Sequence, residues 1–137
     1  MENRKVIELS VPAERNMLLV VRMTTSGVVS RAGFTLDEMD DMKMAVDEAC
    51  NLMMLQKSGC QTLKFTYEYT QDMVTMQIEG QDFSAASELK EDMNMQEVIR
   101  CILESMVDEV NLSKRADGKI GAICLKKNIP SGRRSAV

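Results

Sequence analysis

The side chains best suited to chemistry lie in one short run, Asp47-Glu48-Ala49-Cys50-Asn51. Two carboxylates and an amide stand together there, and the chain contains no histidine, so any general acid–base chemistry would fall to carboxylates. Burying an unpaired carboxylate is costly, so Asp47 and Glu48 beside an apolar stripe favour a functional site. A solvated polar edge on an ordinary core helix explains the same spacing, and the run alone does not decide between the two.

The element that must position this run is a helix predicted from Thr35 to Leu55. Thr35 with Glu38 three residues later forms a capping box, and further acidic residues favour the positive end of the helix dipole. One apolar stripe recurs at spacings of three and four residues: Met39, Met42, Ala45, Val46, Ala49, Leu52 and Met53. The stripe predicts that one side of this helix packs into the core.

Composition narrows the class of protein. The 137 residues suffice for one domain with a real core, and most of the 13 methionines are interpreted as core residues. The net charge of -4 argues against a nucleic-acid partner. Four single cysteines without a CxxC pair argue against a zinc site and a disulfide framework, and favour a reducing compartment. With no leader and no apolar run of about 18 residues, we expect a soluble, cytoplasmic protein that does not enter a membrane.

The remaining elements follow from apolar periodicity. Pro12 can begin a helix, and Glu79-Gly80-Gln81-Asp82 is predicted to end a strand, with Gly80 as a turn glycine. The predicted elements are a strand Lys5–Val11, a helix from Ala13 to about Ala32, a hairpin of Gln61–Tyr69 with Met73–Ile78, a helix Met95–Val107, and a hairpin of Asn111–Arg115 with Lys119–Lys127.

This order predicts an α/β (α+β) two-layer sandwich, in which helices cover one face of a mixed β-sheet. The domain is expected to occupy residues 1–127. Residues 128–137 contain Pro130, Gly132 and two arginines, and they are predicted to form a disordered basic tail.

Three segments carry a resemblance to a known family: VPAERN at Val11–Asn16, SRAGFTLDEMDDMKMAVDEAC at Ser30–Cys50, and VDEV at Val107–Val110. In this order and spacing they resemble the anti-sigma factor serine/threonine kinases of bacterial partner switching, from about Lys5 to Lys127. Those kinases belong to the histidine kinase/gyrase-like ATPase superfamily. The resemblance implies a histidine kinase-like ATPase fold, a mixed sheet covered on one side by helices.

The resemblance also implies an ATP site, and its helical part is altered here. Glu48 matches the glutamate that acts as the family's base. The asparagine that helps to hold magnesium follows four residues later, and that position is Leu52 in this sequence. Asn51 falls one residue early, about 100° around the helix. Asn51 remains the candidate for magnesium if ATP binds, and a surface amide is the alternative interpretation.

The other two parts of the implied site are also changed. The family's Asp-x-Gly-x-Gly turn, whose Asp reads adenine, corresponds to Ile78-Glu79-Gly80-Gln81-Asp82, so only Gly80 is kept. Asp82 would replace the lost adenine contact only through a shifted turn. The Gly-rich lid that lets backbone N–H groups approach the phosphates corresponds to Glu97-Val98-Ile99, with no glycine between Gly80 and Gly118. We interpret the ATP site as degenerate and expect no cofactor, with Mg-ATP as the alternative.

Three functions fit this resemblance. The first is a regulator that binds a sigma factor or an anti-sigma factor antagonist without catalysis. The second is an active ATP-dependent protein serine kinase, in which Glu48 would be catalytic. The third is a stand-alone sensor domain descended from a histidine kinase. Because the adenine-reading carboxylate is absent, the first is favoured.

The resemblance also suggests a partner-binding residue and a dimer. Family members carry an arginine of the first helix on the surface that meets the partner, and Val21-Arg22 takes that place. We expect Arg22 to be exposed and without an internal ion pair, and a solvated helix charge is the alternative. Family members pair through the first strand and first helix, and Leu18, Leu19, Val20 and Val21 surround more than one side of that helix. A homodimer is therefore expected, unless the sheet and the central helix cover these residues.

Overall fold

A computed structural model describes residues 4–55, 59–83 and 93–130. These ranges contain five β-strands and three α-helices, and a short 3-10 turn, Arg15–Met17, precedes the first helix. In chain order the elements are β1 (Lys5–Pro12), α1 (Leu18–Val29), α2 (Leu36–Leu55), β2 (Cys60–Tyr69), β3 (Met73–Phe83), α3 (Met93–Glu104), β4 (Glu109–Lys114) and β5 (Ile120–Asn128).

The strands form one sheet in the order β1-β2-β3-β5-β4, and every neighbouring pair is antiparallel. The predicted α+β two-layer sandwich is confirmed. Its sheet was predicted to be mixed, and within the described residues that detail is wrong. A parallel pair would require β4 to lie beside β3, but β5 is inserted between them and runs opposite to both.

One face of the sheet is apolar because strand residues alternate with a period of two. Phe65 of β2 lies opposite Ile78 of β3, which lies opposite Ile123 of β5, and all three are at most 1% exposed. The next register positions carry Lys64 opposite Glu79, so the other face is polar. The helices pack on the apolar face, where α2 contributes fully buried residues such as Met42, Ala45, Ala49, Cys50 and Met53.

The central helix and its start are confirmed. The backbone N–H of Thr35 donates to Glu38 Oε1 at 2.9 Å, and the N–H of Glu38 donates to Thr35 Oγ1 at 3.2 Å. This reciprocal pair is the predicted capping box. It satisfies two backbone N–H groups that lie ahead of the first intrahelical hydrogen bonds.

The first helix starts later than predicted. Pro12 is the last residue of β1 instead of a helix start, and Ala13 N donates to Gln61 O at 2.8 Å beyond it. Proline is tolerated there because β1 is an edge strand, so its missing N–H costs no ladder hydrogen bond. The α-helix then begins at Leu18.

Two strands extend beyond their predicted ends. β3 continues to Phe83, so Gly80 is a strand residue and the prediction of a turn glycine is wrong. β5 ends at Asn128, and Ile129 is buried and donates its N–H to Asp72 O at 2.7 Å, so the ordered chain passes the boundary predicted at residue 127. The rest of the predicted tail, residues 131–137, lies outside the described residues.

The third helix is shifted toward the N-terminus of its predicted range and covers Met93–Glu104. Most of the polar stretch ahead of it, residues 84–92, lies outside the described residues. Within the ranges that the structure describes, no helix is both long and apolar enough to cross a membrane.

Candidate functional site

An ion pair joins the two helices that form the candidate partner surface. Arg22 of α1 donates from Nε to both Asp47 Oδ1 and Asp47 Oδ2, each at 3.0 Å. The hydrogen bond to Asp47 and the charge of this carboxylate raise the pKa of Arg22 above its ordinary value. The Arg22 side chain is 50% exposed, as predicted. The prediction that Arg22 makes no internal ion pair is wrong, because α1 and α2 pack side by side and bring together two residues 25 positions apart.

Both hydrogen bonds of this pair use Nε of Arg22. Neither involves the outer edge of the guanidinium, which is formed by the two Nη groups. Among the described residues, neither Nη group of Arg22 makes a hydrogen bond. The Nη groups carry four of the five N–H donors of arginine, in the fork geometry that matches a carboxylate. Asp47 therefore fixes the guanidinium by its inner edge and leaves the outer edge to another group.

A groove of about 400 Å³ runs between α1 and α2 beside this pair. A second ion pair, from Lys43 Nζ to Asp40 Oδ1 at 3.3 Å, lies on the α2 side, and Met44 adds an exposed apolar side chain. The groove is lined by Arg22, Ser26, Asp40, Lys43, Met44 and Asp47. It offers paired charges next to an apolar contact, which suits a protein side chain better than a free polyanion.

The residues that correspond to the family's ATP site lie along α2 and β3. Glu48 and Asn51 are half-buried and lie one turn apart on α2. Leu52, at the position of the magnesium-holding asparagine, is only 3% exposed. Ile78, at the position of the adenine-reading carboxylate, is fully buried in the apolar core. Glu48 thus has no carboxylate or amide partner at either of these two positions.

The end of β3 brings Gly80, Asp82 and Phe83 together in an arrangement that the sequence did not predict. A Cβ added at Gly80 would lie 2.6 Å from Phe83 Cζ and 2.9 Å from Met53 Cε, so these side chains occupy the space in front of this glycine. Asp82 is exposed and has a φ of 56°. It stands where the family motif has its second glycine and adopts a conformation that glycine favours.

A polar cluster near the β4–β5 turn was also missed. Lys119 and Gln96 are each 1% exposed, and Gln96 Nε2 donates to Gly118 O at 3.2 Å. Asp117 Oδ1 accepts from the N–H of Lys119 at 2.9 Å, and Arg115 Nη1 lies 3.6 Å from Asp117 Oδ2. The hairpin that connects Arg115 to Lys119 was predicted, but nothing local in the sequence marks Lys119 as buried. No group of three or more possible metal ligands lies within the described ranges.

The buried thiols are poorly suited to chemistry. Burial raises the pKa of Cys50 from 9.0 to about 12 and also raises the pKa of Cys60 and of Cys124. Thiolate is the reactive form of cysteine, so the raised pKa values disfavour the reactive form of these side chains. All four cysteines are free.

Comparison with known proteins gives a partial match. No protein-family model matches the chain. A segment of 48 residues, 35% of this chain, is 50% identical to the serine-protein kinase RsbW of Bacillus subtilis (strain 168) and covers 30% of that protein. Proteins of the same name from Bacillus mycoides and Bacillus velezensis are 44% identical over 50 residues and 52% identical over 44 residues, covering 31% and 28% of their lengths.

The resemblance to the serine kinase family is confirmed. The matched segment spans less than a third of the length of these relatives. The family likeness therefore covers part of the domain, and the activity and partners of the relatives do not follow from it.

Proposed function

We propose that this chain is an anti-sigma-factor-like regulator that acts by protein–protein binding in bacterial partner switching, without nucleotide. The observation that carries the proposal is Ile78. This fully buried, apolar side chain stands where the kinases that the chain resembles place the carboxylate that reads adenine. A purine amino group would find no acceptor there, and the cost of leaving it unpaired would weaken binding.

Leu52 adds to this argument. It stands in place of the magnesium-holding asparagine, and its buried apolar side chain cannot coordinate a hard cation, which prefers oxygen ligands. Glu48 keeps the position of the family's base, but a base without a bound nucleotide has no phosphoryl transfer to assist.

Arg22 is the proposed contact to the partner, which is a sigma factor or an anti-sigma factor antagonist. The outer edge of its guanidinium can accept a carboxylate in two parallel hydrogen bonds, while Asp47 holds Nε. Met44 at the rim of the groove supplies an apolar contact beside this charge pair. Such a combination of an arginine and a neighbouring apolar contact is typical of an interface anchor.

We further propose that two copies pair through β1 and α1, as in the family. The exposed side chains there include Val6 and Ile7 on β1 and Leu19, Val20 and Met23 on α1, with exposures from 36% to 68%. Burying such exposed apolar side chains of an edge strand and a helix against a second copy would be energetically favourable. The protein would act in the cytoplasm, in keeping with its free thiols, and would bind protein instead of nucleic acid or membrane.

The alternative is an ATP-dependent protein serine kinase that phosphorylates an anti-sigma factor antagonist. Two observations favour it: Glu48 is kept on α2, where it is half-buried, and the similar proteins are named serine-protein kinases. In that case Asn51 would serve magnesium, and Gly80 and Asp82 would serve the nucleotide. Either function would depend on a partner protein.

The proposal is tested by capturing the partner from cell extract. The baits are tagged wild type, Arg22→Ala and Arg100→Ala proteins, and the captured proteins are quantified by mass spectrometry. Arg100 is the matched control, because it also forms a helical ion pair, 3.7 Å from Glu104, but lies on α3. We expect a sigma factor or an antagonist to be retained by wild type and Arg100→Ala and reduced about tenfold or more by Arg22→Ala.

The same extract is assayed with and without added Mg-ATP. Capture that does not require ATP supports a binding role without nucleotide. A partner retained equally by all three proteins would remove Arg22 from the interface, and capture that strictly requires ATP would favour the kinase.

A further inference from the structure

The groove between α1 and α2 contains a hydroxyl that its own helix does not use. Thr24, Thr25 and Ser30 each donate their hydroxyl to a backbone oxygen three or four positions earlier, at distances between 2.8 Å and 3.1 Å. Ser26 lines the groove and is half-buried, and within the described ranges its hydroxyl makes no hydrogen bond. This hydroxyl is therefore available to a group that enters the groove.

Ser26 lies beside the unused edge of the Arg22 guanidinium. The two residues are one helical turn apart, so their side chains project from the same face of α1, and both line the groove. The Nη groups of Arg22 make no hydrogen bond among the described residues. The α1 wall of the groove thus presents a guanidinium edge followed by a hydroxyl, and all of these groups can donate.

The α2 wall adds a second cation near Ser26. α1 and α2 are consecutive helices with a short connection, so they run antiparallel. Asp47 faces Arg22. One turn earlier on α2 is Lys43, which therefore comes opposite Ser26, one turn later on α1. Asp40 and Asp47 balance the two cations and are already engaged in ion pairs, so the groove is left with an excess of hydrogen-bond donors and no excess charge. A single carboxylate suits it better than a polyanion.

We propose that Ser26 is a specificity-determining residue of this groove: its hydroxyl donates a hydrogen bond to the acidic side chain of a protein partner that Arg22 binds through Nη. A carboxylate has about four acceptor positions, so it can accept two parallel hydrogen bonds from Arg22 and a third from Ser26. Met44, which is 55% exposed, contacts an apolar residue next to the acidic one. This inference rests on the proposed function and adds the chemistry of the partner to it.

The probe is a pair of N-acetylated, C-amidated helical peptides of about 15 residues, built from alanine and glutamine. One peptide carries a glutamate and, four residues later on the same helix face, a leucine. In the other peptide, glutamine replaces the glutamate. Both are titrated by NMR into wild type, Ser26→Ala and Thr24→Ala. Thr24→Ala is the matched control, because it removes a hydroxyl of α1 that is already bonded to Val20 O.

Wild type is expected to bind the glutamate peptide about tenfold tighter than the glutamine peptide, because a charged acceptor strengthens the hydrogen bonds from Arg22. Ser26→Ala should lose about tenfold in affinity for the glutamate peptide and much less for the glutamine peptide, since hydrogen bonds to charged groups contribute more than neutral ones. Thr24→Ala should bind both peptides as wild type does. A purely structural effect of Ser26→Ala would instead weaken both peptides alike.

Equal affinities of wild type and Ser26→Ala for the glutamate peptide would overturn the role of Ser26, and so would an equal loss for both peptides. A wild type that does not bind the glutamate peptide, or does not distinguish the two peptides, would overturn the preference for an acidic side chain. The proposed function fails by a different result: capture from extract that strictly requires Mg-ATP, or that Arg22→Ala leaves unchanged. The two failures are therefore distinguishable.

Discussion

Arg22, Ile78 and Cys50 show how the surroundings of a side chain decide its role. Arg22 is held by Asp47 through Nε, and we propose that its outer donors bind a partner, whereas Ile78 places a buried apolar side chain where the family site has a polar group. Cys50 follows Glu48 by two residues and is fully buried in the core, and this burial raises its pKa to about 12. The polar run on α2 thus contains a half-buried carboxylate that holds Arg22, a second half-buried carboxylate, Glu48, and a buried thiol whose pKa is raised.

ATP is expected not to bind at physiological concentration, because Ile78 and Leu52 remove the adenine and magnesium contacts. Calorimetric titration of the wild type with Mg-ATP and with Mg-ADP should give dissociation constants well above about 100 µM. Titration of nucleotide into buffer is the control. A dissociation constant near or below that value would restore the kinase as the better interpretation.

Stability is expected to fall as pH rises above 9, because of Cys50. The unfolded thiol loses its proton above its pKa of 9.0, whereas the folded thiol keeps it up to about 12, so the unfolded state binds fewer protons in this window. Tyr67, whose pKa burial raises from 10.0 to about 12, adds to the effect above pH 10. In urea unfolding between pH 9 and 11, Cys50→Ala should flatten the slope by about 1 kcal/mol per pH unit.

Cys101→Ala is the control for this experiment, since Cys101 is exposed on α3. It should leave the pH dependence as in wild type. A Cys50→Ala protein whose stability falls as steeply as that of wild type would assign the alkaline loss to other groups.

Among the elements, α2 organises the site, and its N-terminus depends on a local signal. The capping box at Thr35 and Glu38 marks where the helix begins, and Asp47 further along it meets Arg22 of α1. A buried contact supports the same arrangement: Thr25 of α1 and Tyr67 of β2 lie 2.8 Å apart through their hydroxyl oxygens. This contact ties α1 to the sheet three residues beyond Arg22.

Thr35→Ala is expected to lower the free energy of unfolding by about 1 kcal/mol, because the N–H of Glu38 loses its acceptor. Chemical denaturation measures this loss. Thr24→Ala in α1 is the matched control, since its hydroxyl donates to Val20 O at 2.9 Å inside the helix and caps nothing. Its effect should stay within about 0.5 kcal/mol. Equal losses in both variants would show that the box contributes no specific stability.

At the scale of the whole molecule, the arrangement of the exposed apolar residues matters more than their number. Leu19 and Met23 are exposed on α1, and Val6 and Ile7 on the edge strand β1, whereas Met95 and Val98 are exposed on α3. Val6 and Ile7 extend the first group onto an edge strand, whereas the exposed side chains of the other edge strand, β4, are polar. This difference favours pairing of two copies through β1 and α1.

Sedimentation at tens of micromolar, a range in which a functional dimer should persist, tests this pairing. Wild type and Met95→Glu should sediment as dimers, and Met23→Glu as a monomer, because a buried unpaired carboxylate opposes association. Met23 is 68% exposed and Met95 50% exposed in the single chain, so the two substitutions are comparable. A monomeric wild type would contradict the dimer.

Local features of the sequence determined the elements. The apolar stripe and the Thr35–Glu38 box predicted α2 to within one residue at its start, and alternation predicted β2. These signals depend on neighbours a few positions apart, which share a helix face or a strand face whatever the rest of the chain does. The same locality explains the early end predicted for β3, since Gly80 is typical of turns when only its neighbours are considered.

Contacts between distant residues were decided only by the tertiary structure. The insertion of β5 between β3 and β4, the pairing of Arg22 with Asp47 and the burial of Lys119 each join or enclose residues far apart in the chain. No periodicity encodes which surfaces meet, because packing selects among many arrangements with the same local pattern. The resemblance located Glu48 and Arg22 in the sequence, but the position of the Phe83 ring over Gly80 depends on how two strands and α2 come together.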